Sequence, residues 1–128
     1  FKGVRAALKE QNKRIGAPAS LWKIYETSGT RAGQDTAFGL LGYGSVLSII
    51  GFTMDKCEIR LSNLMAFDAT LHGNWGCDPL LYPEVLSWLG AGRIRVRPYV
   101  EKHPLAEINS VFDAAHHGRL QKRAVLVP

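Results

Sequence analysis

The chain has 128 residues, of which 46% are hydrophobic and 21% are charged, and its formal net charge is +5. This length can hold one average domain with a real core, and the composition is ordinary for a globular protein. No apolar run approaches the roughly 18 residues of a membrane-spanning helix, and the amino terminus lacks a signal-peptide layout. Because the chain begins with Phe1 inside a helical pattern, without an initiator Met, we expect further sequence upstream.

The positive charge would suit nucleic acid or a phosphorylated small molecule. The basic residues are scattered, however, and aromatic residues do not alternate with them as a stacking platform requires. We favour a solvated surface and expect neither a nucleic-acid nor a membrane partner. The spacing of Cys57 and Cys77 matches neither a metal knuckle nor a redox motif, so two reduced, packed thiols in a cytoplasmic protein are expected.

The apolar patterns predict alternating helices and strands. In chain order they are a helix over 2–15, a strand over 21–26, a helix capped by Thr30 and ended by Gly42 and Gly44, a strand over 45–50, a strand over 69–73, a helix starting at Pro83 and closed by Gly90 and Gly92, a half-exposed strand over 93–100, a helix from Leu105 to Gly118, and a strand over 124–127. Residues 57–67 fit no single period. The nearly continuous apolarity of 45–50 is typical of a strand buried on both faces of a parallel sheet.

This alternation predicts an α/β fold with a mostly parallel sheet. Such sheets bind ligands just beyond the carboxyl ends of their strands. Three glycine-containing loops follow predicted strands, namely Thr27-Ser28-Gly29, Gly51-Phe52-Thr53 and His72-Gly73-Asn74. Glycine lets a ligand approach the backbone closely, but it also ends strands for local reasons, so the pattern leaves binding loops and plain turns open.

An ordered series of short motifs runs from about residue 21 to the end. The motifs are Tyr25-Glu26-Thr27-Ser28-Gly29, Gly42-Tyr43-Gly44, Ser48-Ile49-Ile50-Gly51-Phe52, Leu71-His72-Gly73-Asn74, Gly92-Arg93-Ile94, Pro104-Leu105-Ala106-Glu107-Ile108-Asn109 and Arg123-Ala124-Val125-Leu126. Together they resemble the second half of the zinc-type medium-chain alcohol dehydrogenase family. The resemblance implies the second half of a Rossmann-type parallel sheet with flanking helices over 1–92, then a C-terminal strand-helix-strand return segment over 93–128 that packs toward the catalytic domain.

The resemblance also implies an NAD site. Thr27, Ser28 and Gly29 would lie beside the adenosine and ribose, Ile50, Gly51 and Phe52 would meet the nicotinamide with backbone groups holding its carboxamide, His72 and Gly73 would complete that carboxamide site, and Arg123 would lie near the pyrophosphate. His72 could equally be a strand-end histidine satisfied by backbone, and Arg123 a surface arginine. For His116 and His117 we favour helix-end residues over metal ligands, because adjacent helical side chains point about 100° apart.

Two family features are absent from this sequence. There is no Gly-x-Gly-x-x-Gly turn and no set of Cys, His and Glu for a catalytic zinc. In the family both lie upstream, so we assign no catalytic residue and no metal ligand here. Zinc ligands of the parent enzyme would lie outside this sequence, and the chain alone is expected to be inactive.

Within the family, the run from Gly51 to Lys56 and the stretches 60–67 and 73–77 are similar to the 6-hydroxycyclohex-1-ene-1-carbonyl-CoA dehydrogenase subfamily. This similarity implies an acyl-CoA substrate in anaerobic aromatic degradation. Lys56, Arg60 and Arg97 are candidates for its phosphates, although a solvated surface is favoured for each. Residues 57–67 resemble the family's dimer-forming edge, so a homo-oligomer is expected.

Three functional hypotheses follow. The first is an NAD-dependent dehydrogenase that oxidises a secondary alcohol. The alternative is a non-catalytic dinucleotide-binding or oligomerisation module, and the third is an anion or nucleic-acid binder, which the scattered charges disfavour. Zinc ligands and a glycine-rich turn in upstream sequence would favour the enzyme.

Overall fold

The computed structural model describes residues 2–128 and divides into two compact units, with the boundary between Cys77 and Asp78. The predicted boundary after residue 92 rests on a family resemblance rather than on compactness, and it stays a prediction. Among the described residues, no helix is both long enough and apolar enough to cross a membrane.

The first unit is a three-stranded sheet with helices. Its elements are α1 (Lys2–Ile15), β1 (Lys23–Glu26), α2 (Arg31–Gly39), β2 (Val46–Ile49), α3 (Ser62–Ala66) and β3 (Thr70–Gly73). The strand order is β1-β2-β3 and both pairings are parallel, which confirms the predicted α/β class. Thr30 caps α2 as predicted, since its hydroxyl accepts the Gly33 N–H at 3.0 Å.

Helix α2 ends earlier than predicted. Its last residue is Gly39, and the Leu40 N–H closes the final turn on the carbonyls of Thr36 and Ala37. Gly44, with φ of +63°, belongs instead to the turn that leads into β2. The predicted glycine stop therefore marks the following turn rather than the helix end.

The core of the first unit lies between α2 and β2. Its buried members are Ala37, Phe38, Leu41 and Leu47. From the ambiguous 57–67 segment, Ile59, Leu64 and Phe67 pack against this cluster, whereas Leu61 and Met65 are exposed. The segment fits no single period because α3 spans only five residues and irregular chain surrounds it.

The second unit contains two helices and two parallel strands. Its elements are α4 (Tyr82–Gly90), β4 (Val100–Pro104), α5 (Ile108–His116) and β5 (Arg123–Val127), with 3₁₀ turns at Pro79–Leu81, Arg97–Tyr99 and Leu105–Glu107. Strand, helix and strand follow in the predicted order from β4 onward. Helix α5 ends just before Gly118, whose φ is +64°.

The predicted strand over 93–100 is wrong. In the structure, the N–H groups of Gly92, Arg93 and Ile94 bond to carbonyls at the end of α4, so they cannot join a sheet. Pro98 then sits in the first turn of a 3₁₀ helix and has no N–H to donate to a neighbouring strand. The strand starts only at Val100, the residue where the prediction ended it.

Candidate nucleotide site at the carboxyl ends of the strands

A cleft of about 560 Å³ lies at the carboxyl ends of β2 and β3. It is lined by Gln34 and by residues of two segments, 49–53 and 73–76. This is the edge of a parallel sheet where ligands bind.

Two of the predicted loops touch through their backbones. A Cβ added to Gly51 would lie 2.2 Å from the Gly29 nitrogen and 2.7 Å from its Cα, and one added to Gly29 would lie 2.6 Å from the Phe52 carbonyl oxygen. Such distances exclude any side chain at either position unless the backbone shifts. Gly29 also has φ of +62°, a conformation that favours glycine.

The third loop reaches the same edge through strand pairing. Gly73 is the register partner of Ile49, and the Asn74 N–H donates to the Ile49 carbonyl at 3.0 Å. The structure therefore brings Gly29, Gly51 and Gly73 to one edge of the sheet, as their positions after parallel strands predict. A Cβ on Gly73 would meet nothing within 4 Å, so this glycine is not required by packing.

Glu26, at the end of β1, ties the first two loops together. Its side chain is buried, with Oε1 accepting the Ser28 N–H at 2.7 Å and also the Ser28 hydroxyl. Its main-chain carbonyl accepts the N–H groups of Ile50 and Gly51, both at 2.9 Å. Sequence reasoning missed this role, although a carboxylate inside an apolar strand was a signal.

The Glu26 carboxylate also lies against the first turn of α2. A Cβ on Gly33 would be 2.9 Å from its Oε1 atom. The amino-terminal end of a helix favours a negative charge and is a common phosphate site. Here the Glu26 carboxylate already lies beside the first turn of α2.

The turn at the end of β2 leaves one acceptor and one donor without a protein partner. The Ile50 and Gly51 N–H groups bond to Glu26, and the Gly51 carbonyl accepts from the Gln34 side chain at 3.4 Å. Within residues 2–128, the Ile50 carbonyl and the Phe52 N–H make no hydrogen bond. Both residues line the cleft.

The remaining predicted residues lie elsewhere. Thr27 and Ser28 are exposed and do not line this cleft. The same holds for His72, which lies on β3 and is the register partner of Ser48 on β2. Arg123 begins β5 in the second unit, is exposed, and lines a separate cleft of about 500 Å³ beside Val111. Cofactor contacts at all nine predicted positions stay predictions.

Six residues of the cleft were not predicted as cofactor contacts, namely Gln34, Ile49, Thr53, Asn74, Trp75 and Gly76. Thr53 and Asn74 belong to the predicted glycine-containing loops, and Trp75 and Gly76 follow directly after Asn74. Gln34 lies on α2, seventeen positions before its partner Gly51, and no local pattern points to it. Phe52 and Trp75 expose 70% and 94% of their surface, so two aromatic rings are free to meet a ligand.

In the described part of the chain, no three His, Cys, Asp or Glu side chains come together as a metal site requires. The Nδ1 atom of His117 donates to the Asp113 carbonyl at 2.8 Å, a contact of a helix-end histidine. The Cys57 thiol donates to the Gln34 Oε1 atom at 3.1 Å.

Solved structures with this fold include alcohol dehydrogenases. One from Aeropyrum pernix has a TM-score of 0.79 and 23% identity, covering 98% of this chain and 36% of its own. The benzyl alcohol dehydrogenase of Acinetobacter calcoaceticus has a TM-score of 0.74 and 17% identity, with coverage of 95% and 33%. An Escherichia coli short chain alcohol dehydrogenase in complex with NADH has a TM-score of 0.70 and 13% identity, with coverage of 94% and 36%.

Neither a protein-family model nor a curated protein matches the sequence. The chain spans about a third of the length of the solved structures that it matches. At these identities the likeness establishes the fold. The chain has the α/β fold of the Rossmann-like part of medium-chain alcohol dehydrogenases.

Proposed function

We propose that this chain is the carboxyl-terminal part of an NAD-dependent alcohol dehydrogenase that oxidises a secondary alcohol. The observation that carries the proposal is the backbone contact between Gly29 and Gly51, beside a cleft at the carboxyl ends of parallel strands. Support comes from the similar solved structures, which are alcohol dehydrogenases, one of them with NADH. The ordered motifs of the sequence point the same way.

The residues at this edge fit the nicotinamide end of NAD. Backbone N–H and C=O groups of the segment Ile50, Gly51 and Phe52 would hold its carboxamide, and His72 and Gly73 would complete that site. These bonds would orient the ring and so select the face that is presented to substrate. When bound, NAD supplies the hydride acceptor. The close contact between Gly29 and Gly51 holds the first two loops against each other.

The described residues do not form the zinc site that the resemblance implies for the parent enzyme. A zinc ion would have to be held by residues outside this chain. We therefore derive no step through zinc and assign no catalytic residue here.

For the substrate we propose a 6-hydroxycyclohex-1-ene-1-carbonyl-CoA-like alcohol, on the strength of the sequence runs that resemble that subfamily. Lys56 and Arg60 are exposed in the first unit and Arg97 is exposed in the second, so their charges are accessible to phosphate. The test compares kcat/KM for the acyl-CoA alcohol with that for the same ring alcohol lacking CoA. Equal values would contradict an acyl-CoA substrate.

NAD titration of the full-length protein tests the proposed function. Replacing Arg123 by Ala should weaken NAD binding roughly tenfold or more, since a hydrogen bond to a charged group contributes about 1.5–3 kcal/mol. Lys102→Ala, an exposed cation on the neighbouring strand, should leave the affinity unchanged. Gly51→Val should abolish binding, because its side chain would collide with Gly29.

Equal affinities for the unsubstituted protein, Arg123→Ala and Gly51→Val would remove the basis for this site. NAD binding without any alcohol-dependent formation of NADH would favour the alternative, a non-catalytic dinucleotide-binding or oligomerisation module. The two readouts therefore separate the site from the activity.

We also propose that the 57–67 region joins copies of the protein. Leu61 and Met65 expose 66% and 79% of their surface on α3 and the residue before it. Replacing both by Glu in the full-length protein should lower the oligomeric mass measured by sedimentation, because charges oppose burial at an apolar interface. An unchanged mass would contradict this interface.

A further inference from the structure

The Glu26 carboxylate lies where the first two loops meet helix α2. Glu26 exposes 4% of its surface, and its buried Oε2 atom has no hydrogen-bond partner among residues 2–128. A Cβ on Gly51 would lie 2.8 Å from Oε2, and one on Gly33 would lie 2.9 Å from Oε1. The carboxylate therefore lies against both the turn at the end of β2 and the first turn of α2.

A chain of hydrogen bonds runs from the amino-terminal end of α2 to this carboxylate. The Gly33 N–H donates to the Thr30 hydroxyl oxygen at 3.0 Å, and that oxygen lies 3.0 Å from the Ser28 hydroxyl oxygen. The Ser28 hydroxyl in turn contacts Oε1 of Glu26. A carboxylate only accepts, so Ser28 donates to Glu26 and Thr30 donates to Ser28. Glu26 thereby fixes the direction of both hydroxyl groups.

Gly33 provides the space for this chain. A Cβ at this position would overlap the Oγ atom of Ser28. Gly33 lies within α2, where alanine is more favourable than glycine by about 0.5–1 kcal/mol, so helix formation does not account for glycine here. The glycine is instead explained by the Ser28 hydroxyl that packs against it.

We propose that Glu26 is a positioning residue for the dinucleotide, which holds the first two loops at a fixed separation. Its side chain orders the first loop through Ser28, whose N–H and hydroxyl both donate to Oε1. Its main-chain carbonyl holds the second loop through the N–H groups of Ile50 and Gly51. The role rests on the proposed function, in which both loops contact NAD. Because the carboxylate is buried, Glu26 acts through the loops and needs no contact with NAD itself.

The test measures Kd for NAD and the free energy of unfolding of full-length variants, with Kd taken at a temperature where each variant is folded. Gly33→Ala displaces the Ser28 hydroxyl from α2 and leaves Glu26 and Ser28 in the sequence. It should weaken NAD binding roughly threefold to tenfold, the net value of one hydrogen bond. Gly3→Ala is the matched control in helix α1. Its added Cβ meets nothing within 4 Å, so Kd should not change.

Substitutions of Glu26 separate the hydrogen bonds from stability. Glu26→Ala removes the acceptor for both Ser28 donors and should weaken NAD binding at least tenfold. Glu26→Gln keeps an oxygen that can accept from Ser28, and it should recover most of the affinity. Ser45→Ala also removes a buried hydrogen-bonding side chain, but just before β2, at the opposite end of that strand. It should lower stability without changing Kd.

Lower stability with unchanged NAD affinity in Glu26→Ala and Gly33→Ala would overturn the positioning role. Binding by Glu26→Gln that is as weak as binding by Glu26→Ala would overturn it too. If Glu26→Ala does not fold, the affinity of Gly33→Ala decides alone. Failure of the unsubstituted protein to bind NAD would instead overturn the proposed function, and this role with it.

Discussion

The two units of the chain differ in how well they bury their own apolar residues. In the first unit, Leu47 has no exposed surface and Leu41 exposes 1%, within a cluster that α2 and β2 share. In the second unit, Val111 is the one buried hydrophobic residue among those described, while Phe112 exposes 64% of its surface. The difference follows from strand number. Strand β2 has a neighbour on each side, whereas β4 and β5 are both edges of a two-stranded pair.

The contrast teaches that local pattern and burial are separate requirements. The second unit has two regular helices, a positive-φ glycine after α5 and a well-registered strand pair, yet these elements leave their apolar faces uncovered. The first unit adds a central strand, and with it a core. We therefore expect core substitutions in the first unit to have far larger effects than equivalent ones in the second.

The largest effect is expected for Leu47→Ala. Removing a fully buried leucine side chain should lower the free energy of unfolding by about 2–5 kcal/mol. Val125→Ala is the matched change at the centre of β5, where the side chain is 40% exposed, and it should cost less than about 1 kcal/mol. Denaturant unfolding of the full-length protein measures both. Equal losses would show that the two strands are equally buried in solution.

The next effect compares two glycines. Gly51→Ala forces a Cβ against the Gly29 backbone and should cost roughly 1–3 kcal/mol of unfolding free energy. Gly90→Ala, at the end of α4, meets nothing within 4 Å and should be neutral or slightly stabilising. Thermal unfolding of both variants is the measurement. A stable Gly51→Ala variant would mean that the first two loops are not in backbone contact.

The smallest effect concerns the ion pair between Asp113 and Arg119 in the second unit. Both side chains are more than half exposed, so solvent screens their attraction. Arg119→Ala should lower the unfolding free energy by about 0.2–1 kcal/mol, and less in high salt. A loss above about 2 kcal/mol that persists in high salt would indicate that this surface is covered in the native protein.

Sequence patterns predicted the structure correctly where it depends mainly on residues within or beside a single helix or strand. The apolar run of β2, the Thr30 cap and the parallel order of the first three strands were predicted and are confirmed. The strand predicted over 93–100 failed because its first backbone donors already serve the end of α4, a competition that alternation does not reveal. Glu26 and Gln34 were missed for a related reason. Both residues contact Gly51, which is distant from them in the sequence, so no local pattern indicates these contacts.

A crystal structure of the full-length protein with NAD tests the central claim most directly. We expect the nicotinamide to occupy the cleft between Gly51 and Gly73, with its carboxamide bonded to backbone groups of residues 50–52 and of His72 and Gly73. Bound NAD located away from this edge of the sheet, or a nicotinamide that contacts neither segment, would contradict the account.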